Sequence, residues 1–231
     1  MYFQTLDDKG ECVGVYKNGK LCFGSIPEGI TKTWKYAEYL EKNDVEYASI
    51  LCGNRSLNDA CPSSLIDDWI EVETKLKAFY RSFVLAKVNM NENCFFDLVP
   101  RSFLIDYCEI RNKITQYVFE NYEKPQNYDF LVDLTKVLTR IRYQKLNIDT
   151  SSLVERAHLP KFRQAMKKYA QIEPYCRYNI VGTKTGRLTT QKDSFPIMTM
   201  DKDFRSIVKP TQDWFVELDF NAAELRTLMA L

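Results

Sequence analysis

The spacing of apolar positions changes character several times along the chain. In the first 24 residues they come in short runs, Tyr2-Phe3 with Leu6, then Cys12, Val13, Val15 and Tyr16, then Leu21, Cys22 and Phe23. Asp7-Asp8-Lys9-Gly10 and Asn18-Gly19 separate them. Asn-Gly between two apolar runs is a strong hairpin signal, because both residues accept the positive φ that a tight hairpin turn requires. The pattern predicts a β-meander whose first strand covers 1–6, with a turn at 7–10. Beyond Pro27 and Gly29, the placing of Trp34, Tyr36, Ala37 and Leu40 predicts a helix over Thr31–Lys42. A strand over Glu46–Cys52 and a loop over Gly53–Ser63 follow.

From Leu65 the period lengthens to three and four. Leu65, Trp69, Val72, Leu76, Phe79 and Phe83 make one helical stripe. Pro100 opens a second, through Phe103, Leu104, Tyr107, Ile110, Ile114, Tyr117 and Val118. After Pro125 a third runs through Phe130, Leu131, Leu134, Val137, Leu138 and Ile141. All three read as core. Asp149-Thr150-Ser151-Ser152 reads as a turn and helix cap, and Leu159–Ala170 as a basic helix carrying Lys161, Arg163, Lys167 and Lys168. Near the end, Trp214–Asp219 is an apolar strand closing on a carboxylate, and a helix with Glu224 and Arg226 in its first turns follows. The fold class is therefore α+β.

Composition narrows the function only a little. Hydrophobic residues make up 45% and aromatics 13% of the 231 residues, enough for real cores. The 32 basic and 31 acidic residues nearly cancel, so a nucleic-acid partner requires the cations to be gathered on one face. Seven scattered cysteines without a Cys-x-x-Cys pair, beside a single histidine, His158, offer no zinc-site spacing and fit a reducing compartment. No apolar stretch reaches the roughly 18 residues of a membrane span, and no signal peptide opens the chain. The expectation is a soluble cytoplasmic protein without a membrane partner.

The chemistry lies in the last fifty or so residues. Val181-Gly182-Thr183-Lys184-Thr185-Gly186-Arg187-Leu188-Thr189-Thr190 is polar, basic and punctuated by glycine. Phe195-Pro196-Ile197, then Phe204-Arg205-Ser206-Ile207-Val208, then Leu218-Asp219-Phe220-Asn221-Ala222-Ala223-Glu224-Leu225-Arg226 follow in order. Alone, Thr-Gly-Arg is a surface turn and Asp219 a helix cap. Together the four blocks, over 181–231, resemble the palm of family A DNA polymerases, the group of bacterial polymerase I and several phage replicases. The family pattern reads T-G-R-L-S-S, N-I-P, I-R-x-x-F and D-Y-S-x-I-E-L-R. This sequence departs from it at Asn221-Ala222-Ala223, at Met198 where an arginine is common, and at Ser194 where asparagine is frequent.

The resemblance implies roles by position. Asp219 matches the first catalytic aspartate, a ligand of two Mg²⁺ ions, and Phe220 the residue whose backbone carbonyl also reaches the metal. Glu224 matches the glutamate beside the incoming sugar, with Asn221 in the same nucleotide pocket. Arg187 matches the arginine at the primer–template, flanked by Thr185 and Lys184, and Arg205 a further palm arginine. The basic run Arg140, Arg142, Lys145 reads either as a phosphate track, with Arg140 as a DNA contact, or as cations complementing a helix end.

The implied reaction is nucleotidyl transfer by two metals, with primer–template DNA and dNTP as partners. It needs a second carboxylate and a fingers helix. Both are expected from a C-terminal polymerase fragment, as in a split phage enzyme working in the host cytoplasm.

The division expected is a small α+β region over 1–60, a mainly helical, thumb-like region over 61–180, and a partial palm with the start of its antiparallel sheet over 181–231. The order β-β-β-α-β in 1–60 is also that of an RNase H-like proofreading exonuclease. That chemistry needs acids inside the first strand, and 1–6 has none, so the region reads as an inactive relic or as an unrelated cap. The competing function is a non-catalytic DNA-binding module with a degenerate palm.

Overall fold

The structure is a computed structural model. It describes all 231 residues except Lys9, Asn91, Glu92, Val181, Thr185, Phe220 and Leu231, and, in the last helix, the side chains of Glu224, Leu225 and Ala230. The fold is mixed α+β with small sheets. The chain forms two compact units, Met1–Tyr143 with Arg177–Gln191, and Gln144–Cys176 with Lys192–Leu231.

The first unit opens with the expected meander. Strands β1 (Gln4–Asp8), β2 (Glu11–Lys17) and β3 (Lys20–Cys22) pair antiparallel in that order. Asn18 and Gly19 make the second turn with φ of 51° and 76°, as their side chains allow. β1 runs further than the sequence suggested and takes in Asp7 and Asp8, so the first strand does carry acids. A bulge permits this: Leu6 pairs with Gly14 but Asp7 with Cys12, leaving Val13 as the extra residue on β2.

Both faces of this sheet are covered. Phe3 and Val15 join a cluster with Ile30, Leu40, Tyr47 and Ile50. Leu6 and Tyr16 join the larger core, built by α3 (Ile66–Leu85) and α5 (Arg101–Asn121). That core spans residue 60, where a boundary was expected.

The stretch 31–51 differs from expectation. The helix predicted over Thr31–Lys42 is replaced by strand β4 (Lys32–Thr33) and a single 3₁₀ turn, Glu38–Leu40. The predicted strand over Glu46–Cys52 shrinks to β5 (Glu46–Tyr47), parallel to β4, and turns at once into α1 (Ala48–Leu51). Trp34, Tyr36, Ala37 and Leu40 are all buried, serving two clusters on opposite sides, which one helical face cannot do. Within the predicted loop lies α2 (Leu57–Ala60), capped by the Ser56 side chain.

The long helices follow the stripes. In α3, Trp69 and Val72 are buried, and the Trp69 indole donates to Asn58 Oδ1. In α5, Leu104, Cys108, Ile114 and Val118 are at most 1% exposed. Between them the short α4 (Phe95–Leu98) packs the Phe95 ring tilted against Tyr80 and edge-on against Phe83 and Phe96. The third stripe is less buried than predicted. In α6 (Tyr128–Tyr143) only Tyr128 is buried, where its hydroxyl accepts the Tyr47 N–H at 2.7 Å. Phe130 and Val137 are 64% and 52% exposed. Seven residues apart, they share the face of α6 turned away from Leu131 and Val132, which pack on the cluster.

Cys108 yields an alkaline prediction. Burial pushes its thiol up from 9.0 to about 12, against the opposing pull of Arg111. The folded thiol keeps its proton where the unfolded one loses it. Its contribution to stability is therefore constant below about pH 9 and falls above, by up to about 1.4 kcal/mol per pH unit. Urea unfolding at stepped pH should show this limb between pH 9 and 11, and Cys108→Ala should flatten it by about that slope.

The second unit has its own small core. Asn147–Ile148 pairs antiparallel with Val208–Lys209. Helices α7 (Ser151–Val154) and α8 (Pro160–Gln171) pack with the 3₁₀ turns Lys202–Ile207 and bury Leu153, Phe162, Tyr169, Phe195, Phe204 and Ile207. The rings of Phe162 and Tyr169 meet that of Phe204 edge-on at 5.3 and 6.0 Å. Lys161 bridges Asp201 at 3.0 Å and Asp203 at 2.7 Å. Asp149 makes the expected turn, accepting from the Ser151 backbone and hydroxyl. The chain closes with α9 (Ala223–Ala230). Among the described residues no helix is long and apolar enough to cross a membrane.

Candidate functional site

Asp219 lies in the second unit, exposed, four residues before the first turn of α9. It makes no hydrogen bond or ion pair with any described residue, and its distance from the helix start removes it from a capping position. Glu224 belongs to the first turn of α9, but its side chain and the whole of Phe220 lie outside the described residues. Asn221 is exposed, and its carbonyl accepts from Arg226 Nε at 2.9 Å.

The apolar strand expected at Trp214–Asp219 does not form. The segment carries no strand or helix, and Trp214, Phe215, Val216 and Leu218 are 83, 65, 81 and 90% exposed. A strand needs a neighbour for its amides, and no described segment pairs with this one. Leu228 and Met229 of α9 are similarly open, at 71% and 88%. This is a run of large apolar side chains of the kind that marks an interaction surface.

The upstream blocks divide between structural and exposed positions. Phe195, Phe204 and Ile207 are core residues of the second unit. Arg205, exposed on the 3₁₀ turn beside them, donates from Nε to the Met200 carbonyl at 3.4 Å. The Thr183–Leu188 stretch belongs to the first unit, at the tip of a hairpin in which Tyr178–Asn179 pairs with Thr189–Thr190. Gly186, at φ +76°, lets the tip turn back so that the Arg187 N–H meets Thr183 Oγ1 at 3.0 Å. Lys184 and Arg187 are exposed there, and Thr185 lies outside the described residues. Arg140 is held by Glu38 at 3.4 Å and Glu41 at 3.1 Å, so a phosphate at that helix end competes with two carboxylates.

Among the described residues no three Asp, Glu, His or Cys side chains are grouped to hold a metal. Asp219 offers one carboxylate with open surroundings. That suits Mg²⁺, which often takes only one or two protein carboxylates and fills its shell with water and substrate phosphate. One carboxylate by itself does not make a metal site.

The first unit also holds a cleft of about 440 Å³ that the sequence did not announce. The cations Lys35, Arg55, Arg142 and Arg177 line it, against two acids, Asp7 and Glu38. Asp7 is bound to Lys35 at 3.5 Å, and Glu38 to Arg140, which is not in the lining. Burial lowers the Lys35 ammonium below its ordinary value, Asp7 opposes this, and Arg111 and Arg142 add to it. Positions 35, 55, 142 and 177 share no motif. Only the Arg140–Arg142 run gave a partial signal.

No family profile, curated protein or solved structure matches this chain.

Proposed function

We propose that the chain is the N-terminal portion, or a subunit, of a template-directed DNA polymerase. It contributes primer–template contacts and one metal-binding aspartate, and a C-terminal partner carrying the fingers and the second carboxylate completes it. The observation that carries this reading is the order and spacing of the four blocks from Thr185 to Arg226. The exposed, unpaired Asp219 and the apolar run from Trp214 to Leu218 support it, since a metal ligand must be accessible and a palm strand must find partners. In such a site Mg²⁺ supplies charge stabilisation to the primer hydroxyl and the triphosphate. By the resemblance, Asp219 would hold it, Asn221 and Glu224 would serve the nucleotide, and Lys184, Arg187 and Arg205 would contact the DNA.

Arg187 gives a test on the chain alone. Arg187→Ala should weaken fluorescence-anisotropy binding to a recessed primer–template about tenfold and lower the salt slope by about one. An unchanged slope assigns Arg187 to the fold of the hairpin tip instead. Asp219→Ala should leave this binding intact, because a single carboxylate on the chain adds nothing to phosphate contact.

A further inference from the structure

The cleft in the first unit has a charge imbalance that its own residues leave unresolved. Arg55 and Arg142 have no carboxylate within ion-pair distance among the described residues; Arg142 lies 5.8 Å from the ring centroid of its neighbour Tyr143. Both guanidinium groups are exposed at the edge, while Lys35 is partly withdrawn into it. Like charges gathered around a concavity favour an anion, and arginine presents donors in a planar fork that matches a phosphate.

The lining also carries neutral donors and an aromatic face. The Asn54 side-chain amide nitrogen is buried without a hydrogen-bond partner. It is held there by a left-handed backbone, φ 59°, directly after Gly53 at φ 66°. A buried donor without a partner costs free energy that an incoming acceptor recovers. Tyr143 packs one edge of its ring on Gly10, where an added Cβ would sit 3.2 Å from the ring, and the side chain is 41% exposed. The missing side chain of Gly10 thus leaves room for the ring. The volume falls within the range of about 300–1,000 Å³ typical of small-molecule sites.

We propose that this cleft binds a nucleotide, with Arg55 and Arg142 on its phosphate, the Asn54 amide as a further donor, and Tyr143 as the face against which the base lies. The chemistry is shared by a free nucleoside triphosphate and by one unit of a single strand. The proposal does not depend on the role of Asp219, which belongs to the other unit.

Two probes distinguish the sources: mant-dATP, followed by its fluorescence, and a fluorescein-labelled oligothymidylate, followed by anisotropy. Arg55→Ala and Arg142→Ala should each weaken the better-bound probe about tenfold or more, as the loss of a charge-assisted hydrogen bond to a phosphate does. Tighter binding of the oligothymidylate assigns the cleft to a strand, and tighter binding of mant-dATP to a free nucleotide. The pair Arg55→Lys with Arg142→Lys, which keeps the charge and loses the planar fork, should recover only part of the affinity that the double alanine variant loses. In the unaltered chain, phenylglyoxal labelling of Arg55 and Arg142, read by mass spectrometry, should slow when the better probe is present. Binding of neither probe, equal binding by the double alanine variant, or unprotected arginines overturns the proposal. The cleft readings are taken without Mg²⁺ on this chain alone and turn on Arg55 and Arg142, so failure here and failure of the polymerase reading are separate results.

Discussion

Asp219→Ala is expected to abolish Mg²⁺-dependent primer extension by the assembly of this chain with the proposed C-terminal partner, lowering the rate about a thousandfold or more. A metal held at the reacting phosphate contributes several kcal/mol of charge stabilisation, and each 1.4 kcal/mol or so is a factor of ten in rate. The structure removes the ordinary alternatives for this carboxylate: it caps no helix, pairs with no described cation, and is exposed. A residue with no structural task should be replaceable without loss of stability, so the variant should unfold at the same urea concentration as the parent. The assay uses the complex captured through a tag on this chain, with extension followed on a labelled primer. Retained extension by the alanine variant would falsify the assignment, and a complex that extends no primer even with the parent chain would favour the non-catalytic DNA-binding module.

Asp7→Asn should behave in the opposite way, with no effect on extension and a clear loss of stability. Asp7 stands in β1, where an RNase H-like exonuclease would place its first metal-binding acid, and the structure gives it a different task. Its side chain is 9% exposed, and Lys35 Nζ lies 3.5 Å away. The neighbouring cation Arg111 is itself buried, donating to the Thr5 carbonyl at 3.2 Å from within the α5 face of the sheet. The negative charge of Asp7 acts on both cations.

Removing one member of a buried charge group leaves the others uncompensated, at about 3–5 kcal/mol for a fully buried pair. Lys35 is 44% exposed, so solvent screens part of this. The expected loss is about 2–3 kcal/mol, read as a lower urea midpoint at unchanged m-value. Unchanged stability together with a loss of Mg²⁺-dependent nuclease activity would return Asp7 to the exonuclease reading.

Local chemistry made much of this protein legible from sequence. Asn18-Gly19 fixed a hairpin because few other residue pairs accept its dihedral angles. The stripes from Leu65 and from Phe103 predicted α3 and α5, because twenty or so residues of regular period outweigh any single conflicting position. The ordering of blocks from Thr185 to Arg226, and with it the proposal for Asp219, also came from sequence alone.

Tertiary structure decided the rest. The β1 bulge at Leu6 and Asp7, which carries the acids into the strand, depends on the partner strand. Residues 31–51 read as helix and strand because their apolar positions are dense. They fold as two short strands, a 3₁₀ turn and α1 because two different clusters claim those side chains. Phe130 and Val137 match the periodicity of core residues, yet among the described residues no element covers that face of α6. Trp214–Asp219 has the composition of a strand and remains unpaired, since a strand exists only beside another. The cleft collects Lys35, Arg55, Arg142 and Arg177 from positions whose separation along the chain says nothing of their proximity. Period, turn chemistry and motif order are properties of neighbouring residues and are written in the sequence, whereas pairing, the choice of buried face and the gathering of charge depend on contacts between distant ones.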